Sequence, residues 1–285
     1  MIVVTGTSGK LGRLVVNALL ESTPADRVVA VARDPNKVAD LAARGVVVRR
    51  GDYDRPDTLG AAFDGAERLL LVSGSEVGKR VPQHAAAIDA AKRAGVAHLV
   101  YTSILHADTT RMRLASEHLA TEKHLFASEL TYTILRNGWY IENYTENLAP
   151  ALAHGTFLGA AGDGRISAAP RDDFARAAAA VLTAPNGHEN RVYELGGDTS
   201  FTMTELARAV SEWAGRIIGY TNLTPEAYAA ALIQAGVPAP FAETLADCDA
   251  GIARGELEVK TGHLYRLLGR DTTSLATLLR ELPKP

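Results

Sequence analysis

Ile2-Val3-Val4-Thr5-Gly6-Thr7-Ser8-Gly9-Lys10-Leu11-Gly12 follows directly on Met1, and the fold turns on how this stretch is read. Three apolar β-branched residues and a threonine make a short strand. Glycines stand at 6, 9 and 12, and an amphipathic helical pattern runs over 11–20. In such a turn the glycines let backbone amides approach a diphosphate, and the helix presents the positive end of its dipole. The spacing i, i+3, i+6 differs from G-x-G-x-x-G, but the strand before and the helix after supply the context that the motif needs. A plain strand-to-helix turn is the competing reading.

The same alternation continues outward. Apolar runs at 28–32, 46–48, 69–72, 99–102 and 132–135 read as buried strands. Helical stretches at 36–43, 57–63, 83–94 and 115–128 separate them. Continuous rather than alternating apolar strands belong to a sheet covered on both faces, so the pattern predicts an α/β, Rossmann-type, doubly wound parallel sheet. Asp34-Pro35 reads as a helix cap with proline in the first turn, and Gly45 and Gly95 as helix-ending glycines.

Past Arg136 the pattern breaks. Aromatics and four glycines in 139–170 predict a helix and a hairpin. A helix (173–183) and a strand (192–195) then restore the alternation. The remainder is mostly helical, at 204–214, 225–235, 241–248 and 274–282. The expected organisation is a nucleotide domain, 1–138 and 171–198, and a smaller, mostly helical substrate lobe, 139–170 and 199–285.

The 285 residues are 47% hydrophobic and 22% charged, with a net charge of −3. This is globular composition without the basic footprint of a nucleic-acid binder. No run is long enough to cross a membrane as a helix. The single cysteine, Cys248, excludes an internal disulfide, and the histidines lack metal-ligand spacing, so no metal is expected. A reducing, cytoplasmic setting is the expectation. A homodimer is left open.

The second strand ends at Ala32-Arg33, where an NAD site usually offers a carboxylate to the ribose. Asp34 lies one residue late. Arg33 suits a 2′-phosphate instead, which favours NADPH, and a solvated arginine is the alternative. Lys10 and Lys37 add positive charge or are merely exposed.

Four segments taken together carry a wider resemblance: Thr5-Gly6-Thr7-Ser8-Gly9-Lys10-Leu11-Gly12, LLLVSGSEVGKRVPQH (69–84), YTSILHAD (101–108) and LRNGWYIENY (135–144). Over nearly its whole length the chain resembles the bacterial type-2 NAD(P)H:quinone oxidoreductases. It is similar, more loosely, to triphenylmethane reductase; both lie in the NmrA-like, atypical short-chain dehydrogenase/reductase superfamily. The resemblance implies NADPH as cofactor and flavin- and metal-independent hydride transfer to a small-molecule quinone. It also implies a site. Gly6, Thr7, Ser8, Gly9, Lys10 and Leu11 would hold the diphosphate and Arg33 the 2′-phosphate. Asp52 and Tyr53 would lie beside the adenine, and Ser73, Gly74 and Ser75 would line the cofactor. Asn137, Trp139, Tyr140, Glu142 and Asn143 would wrap the nicotinamide. Asn137 would orient the substrate and Tyr140 supply a flat face for the quinone. Trp139 and Tyr140 could equally pack without contacting a ligand.

Ordinary short-chain dehydrogenases use Tyr-x-x-x-Lys. Here Lys123 fits the lysine, either holding the nicotinamide ribose or simply solvated, but Leu119 stands where tyrosine would donate a proton. Quinone reduction needs that donor less than ketone reduction does. His84, His106 and His118 are alternative donors or structural histidines. An NmrA-type sensor that binds NADP(H) without turnover is the second functional expectation.

Overall fold

The computed structural model describes residues 1–284. Nine strands are present among the described residues: β1 (Ile2–Val4), β2 (Val28–Ala32), β3 (Val47–Arg50), β4 (Arg68–Leu71), β5 (His98–Ile104), β6 (Tyr132–Asn137), β7 (Thr156–Gly159), β8 (Arg191–Leu195) and β9 (Gly219–Asn222). Seven of them form one sheet in the order β3-β2-β1-β4-β5-β6-β8. The registers from β3 through β6 are all parallel. The order reverses between β1 and β4, the switch point at which open α/β sheets bind ligands.

Successive residues of a strand face opposite sides of the sheet. Val3, Val29, Leu69, Leu71, Leu99, Tyr101 and Ile134 belong to one buried cluster with Leu59, Phe63, Ile88 and Ala91. The last four come from helices Leu59–Phe63 and Arg80–Arg93. On the other face Lys10–Leu19 packs along Arg171–Thr183. This two-sided cover explains the unbroken apolar strands. β3 departs from the expectation of a buried strand: it is an edge strand, half-buried with Arg50 exposed.

Asp34 caps as expected, its carboxylate accepting the Asn36 amide at 3.0 Å. The helices expected at 36–43 and 57–63 each begin as a 3-10 turn led by proline, Pro35–Val38 and Pro56–Thr58. Gly45 and Gly95 take the left-handed conformation expected of helix-ending glycines, at φ 87° and 70°.

The chain forms two compact units. The first holds Met1–Ala107, Glu117–Asn137 and Arg171–Glu194; the second holds Asp108–Ser116, Gly138–Pro170 and residues from Leu195 onward. Segment 108–116, expected in the nucleotide domain, thus belongs with the second unit. Thr110 Oγ1 and the Arg111 amide both donate to Glu256, at 2.6 and 3.1 Å. The Arg113 amide donates to Asp247 at 2.7 Å. Met112 is buried against Gly251, whose missing side chain leaves it room.

The hairpin expected within 139–170 does not form. After helices Glu142–Thr145 and Ala149–His154, β7 pairs in parallel with the distant β9. Two of the four glycines that suggested a turn, Gly159 and Gly164, serve close approach: a side chain on Gly159 would meet Asp249 at 2.7 Å and the Tyr220 ring at 3.0 Å. Helix Ala239–Ala253 outruns the expected 241–248, and His263–Leu268 was not expected at all.

Gly12 is the tightest point of the opening turn. A Cβ there would sit 2.5 Å from the Gly6 carbonyl oxygen and 2.9 Å from that of Thr5. Backbone cannot yield as a side chain can, so Gly12→Ala should destabilise the first unit by about 1–3 kcal/mol. Urea unfolding followed by circular dichroism checks this.

Candidate functional site

The loop residues singled out in the first unit follow the carboxyl ends of β1, β2, β3, β4 and β5 or close β6. Gly6, at φ 64°, turns the chain out of β1, and its carbonyl accepts the Gly9 amide at 2.9 Å. Gly6, Ser8, Gly9 and Lys10 are exposed. Thr7 is buried instead, with its amide and its hydroxyl both donating to the Val31 carbonyl. Its side chain anchors the loop to β2 rather than facing outward. Gly9 caps the helix without a side-chain bond, and the first intrahelical bond runs from Arg13 to Gly9. The first-turn amides are left for a partner outside the helix. A bare glycine rim with an uncapped helix end fits the diphosphate of a dinucleotide.

Arg33 is exposed directly beyond β2 and pairs with Glu76 at 3.2 Å. Lys79 pairs with the other oxygen of that carboxylate at 2.9 Å. Lys37 is exposed. Asp52 bends its own loop, accepting the Asp54 amide at 3.1 Å. The hydroxyl of Tyr53 reaches Thr5 Oγ1 at 2.5 Å and the Val72 carbonyl at 2.9 Å. Tyr53 therefore staples β1 to the end of β4, and burial raises its ionisation above the ordinary phenol.

The loop after β4 is clamped by side chains. Thr102 accepts the Ser73 amide at 2.9 Å, His84 Nε2 accepts the Gly74 amide at 2.9 Å, and Arg80 Nε donates to the Gly74 carbonyl at 2.6 Å. Ser75 is exposed beyond the clamp. Because Nε2 accepts, the His84 proton sits on Nδ1, which lies 2.9 Å from Thr121. Burial, with the Arg80 charge adding to it, pushes His84 down to about 4. His118 is also interior, its Nδ1 2.8 Å from the Tyr101 hydroxyl, and burial pushes it down to about 3. Neither histidine reaches the exposed edge.

Lys123 is exposed, while Glu122 beside it is fully buried. Helix Ala115–Ala127 turns His118, Thr121, Glu122 and Leu125 inward. At about 100° per residue Lys123 falls on the opposite side. Lys123 thus faces outward and the inward position beside it is taken by a carboxylate. That carboxylate anchors a network not anticipated from sequence. Glu122 accepts from Ser103 at 2.5 Å and from Arg136 at 3.0 and 2.6 Å. Arg136 also donates to Glu194 at 2.7 Å, and Glu194 accepts the His106 amide at 2.8 Å. Burial opposes the Arg136 charge, but its bonds to Glu122 and Glu194 outweigh that and hold its ionisation above the usual value. Arg136 ends the apolar run 132–135, and a charge closing a buried strand is the signal that could have pointed here.

Asn137 closes β6 with a buried side chain, and its carbonyl accepts the Leu105 amide at 3.0 Å. In the second unit, Trp139 and Tyr140 are half-buried, and residue 140 bridges Ala169. The Trp139 indole N–H and the Tyr144 hydroxyl are buried without a hydrogen-bond partner among the described residues. Glu142 is half-buried and Asn143 exposed on the short helix that follows. Also in this unit, burial pushes Asp249 up to about 6 although it accepts the Ala160 amide at 2.7 Å. The described residues contain no metal-binding group of three or more His, Cys, Asp or Glu, and no helix long and apolar enough to cross a membrane.

The neutral His84 sets a pH dependence. Its folded-state ionisation is depressed, so its contribution is fully present above the unfolded imidazole value, about 6.5, and is lost as pH falls toward 4. His118 adds a similar loss reaching lower pH. His84→Gln, which keeps an acceptor for Gly74, should flatten part of the decline between pH 6.5 and 4. Urea unfolding across a pH series reads it.

A family model described as NAD(P)H-binding matches residues 6–185. Quinone oxidoreductase 2 of Escherichia coli (strain K12) is 48% identical over 282 residues, covering 99% of this chain and 98% of that one. The crystal structure of the NADPH-dependent quinone oxidoreductase of Escherichia coli with NADPH matches at a TM-score of 0.96, covering 98% of this chain and 99% of the other. The Citrobacter triphenylmethane reductase with NADP(H) matches at 0.94, with 37% identity and 99% of each chain covered. A switch-point site rimmed by glycines and these full-length likenesses converge: the chain belongs to the NAD(P)H-binding family, in the NmrA-like branch that includes quinone oxidoreductase 2.

Proposed function

We propose that the protein is an NADPH-dependent quinone oxidoreductase that works without flavin or metal, in the reducing setting that suits its buried free thiol Cys248. The observation that carries this reading is the full-length likeness to quinone oxidoreductase 2. NADPH, when bound, supplies the hydride. The chain supplies the rest. Gly6, Ser8, Gly9, Lys10 and Leu11 form the rim for the diphosphate, with Thr7 as its anchor, and Arg33 meets the 2′-phosphate. Tyr53 and the clamp on Ser73 and Gly74 keep the strand ends in place, and Asp52 and Ser75 flank them. Asn137 offers an amide at the end of β6, and Glu142 and Asn143 border the nicotinamide. Tyr140 provides an aromatic surface for a flat acceptor. Trp139, half-buried beside it, adds a second aromatic face. Lys123, exposed on helix Ala115–Ala127, is the residue proposed for the nicotinamide ribose. Positioning of a stacked acceptor carries most of the rate. The sensor reading rests on the missing tyrosine at Leu119, which quinone chemistry tolerates.

Following NADPH absorbance with purified, flavin-free protein and a panel of quinones tests the reading. Turnover with quinones and none with simple ketones is expected; tight NADPH binding with no quinone turnover would overturn it. In the same assay Tyr140→Ala should lower quinone turnover more than it weakens NADPH binding.

Arg33→Ala should remove most of the preference for NADPH over NADH. One charge-assisted contact is worth about 1.5–3 kcal/mol, on the order of tenfold or more in affinity. Fluorescence titration of both cofactors against wild type and variant measures it, and equal affinities in the wild type would refute the assignment.

A further inference from the structure

We propose that His106 is the proton donor to the reduced quinone, oriented by Glu194 at the end of a buried chain of charges. The proposal rests on the quinone-reductase reading and deepens it.

His106 stands two residues beyond Ile104, the last residue of β5. The intervening Leu105 bonds to Asn137, so His106 lies at the carboxyl edge next to the end of β6. In a sheet of this order the strands on this side of the switch point serve the second mononucleotide half, the one bearing the nicotinamide. His106 adopts φ 54°, left-handed backbone that a non-glycine residue seldom takes. Glu194 holds it there by accepting its amide at 2.8 Å. The same carboxylate oxygen lies 4.0 Å from His106 Nδ1. One group thus fixes the backbone and faces the ring, which directs Nε2 the other way.

Glu194 is itself held. Its second oxygen accepts from Arg136 at 2.7 Å, and Arg136 is locked by Glu122, which Ser103 secures. Through this chain three charged groups bear on His106: Glu194 from β8, Arg136 from β6 and Glu122 from helix Ala115–Ala127. The other histidines considered as donors, His84 and His118, are committed inside the fold. The His106 side chain is 31% exposed, so it can recover a proton from water.

The step balances. Hydride from NADPH brings both electrons to the quinone and leaves a hydroquinone anion with its charge on oxygen. The Nε2–H bond of the His106 imidazolium breaks, and an O–H bond forms on that oxygen. Neutral imidazole remains beside Glu194 and takes one proton from solvent, so each turnover consumes one proton with one NADPH.

The test variant is His106→Asn, because asparagine accepts left-handed backbone. The expected result has three parts. NADPH affinity, read by fluorescence, is unchanged. kcat falls by about 100-fold or more and is restored in part by added imidazole, as for loss of a general acid. In wild-type protein loaded with oxidised NADP, tetramethyl-1,4-benzoquinone shifts the His106 imidazole NMR signal, assigned by its loss in the variant. A variant that keeps most of its kcat, or a His106 signal that the quinone leaves unmoved, overturns the proposal while the quinone-reductase reading stands. Wild-type protein that binds NADPH but reduces no quinone overturns both.

Discussion

The contact between Gly12 and the carbonyls of Thr5 and Gly6 governs the first unit. It lets helix Lys10–Leu19 start immediately beside the central strand β1, with no room for a side chain. From that start the helix reaches Arg171–Thr183 and covers one face of the sheet. Its uncapped first turn stays directed at the loop. Gly12 thus closes the packing, while Gly6 and Gly9 leave the adjoining loop bare.

A second constraint is electrostatic. Glu122, Arg136 and Glu194 put two carboxylates and a guanidinium in or near the interior of the first unit. Such groups repay desolvation only when their geometry and hydrogen bonds are complete, and losing one partner leaves a buried charge uncompensated. Here the chain is completed by Ser103 at one end and the His106 amide at the other. It joins helix Ala115–Ala127, β6 and β8 to the turn after β5, and so carries rigidity to the edge where chemistry is expected.

Much of the site was legible in residue order because its parts are local. The glycine loop after β1, Arg33 after β2 and Asn137 at the end of β6 are each marked by their strand, and strands announce themselves by apolar runs. The inward turn of Thr7 and the buried carboxylate of Glu122 were not legible for one reason: burial of an individual side chain depends on which neighbours approach. Thr7 turns to Val31, 24 residues away, and the helix phase at Glu122 is set by packing of the whole helix. Segment 108–116 joins the second unit through Glu256 and Asp247, far along the chain.

The sequence by itself determined the strand-helix alternation, the doubly wound sheet, the cofactor loop and the class of chemistry. Each of these rests on short-range periodicity, on glycine spacing or on motifs contiguous in the chain. Tertiary structure alone decided the parallel pairing of β7 with β9, the inward turn of Glu122, the clamp on Gly74 and the Glu194 support of His106. Those depend on contacts between residues separated by tens of positions, where direction, distance and burial, rather than residue type, decide what a side chain does.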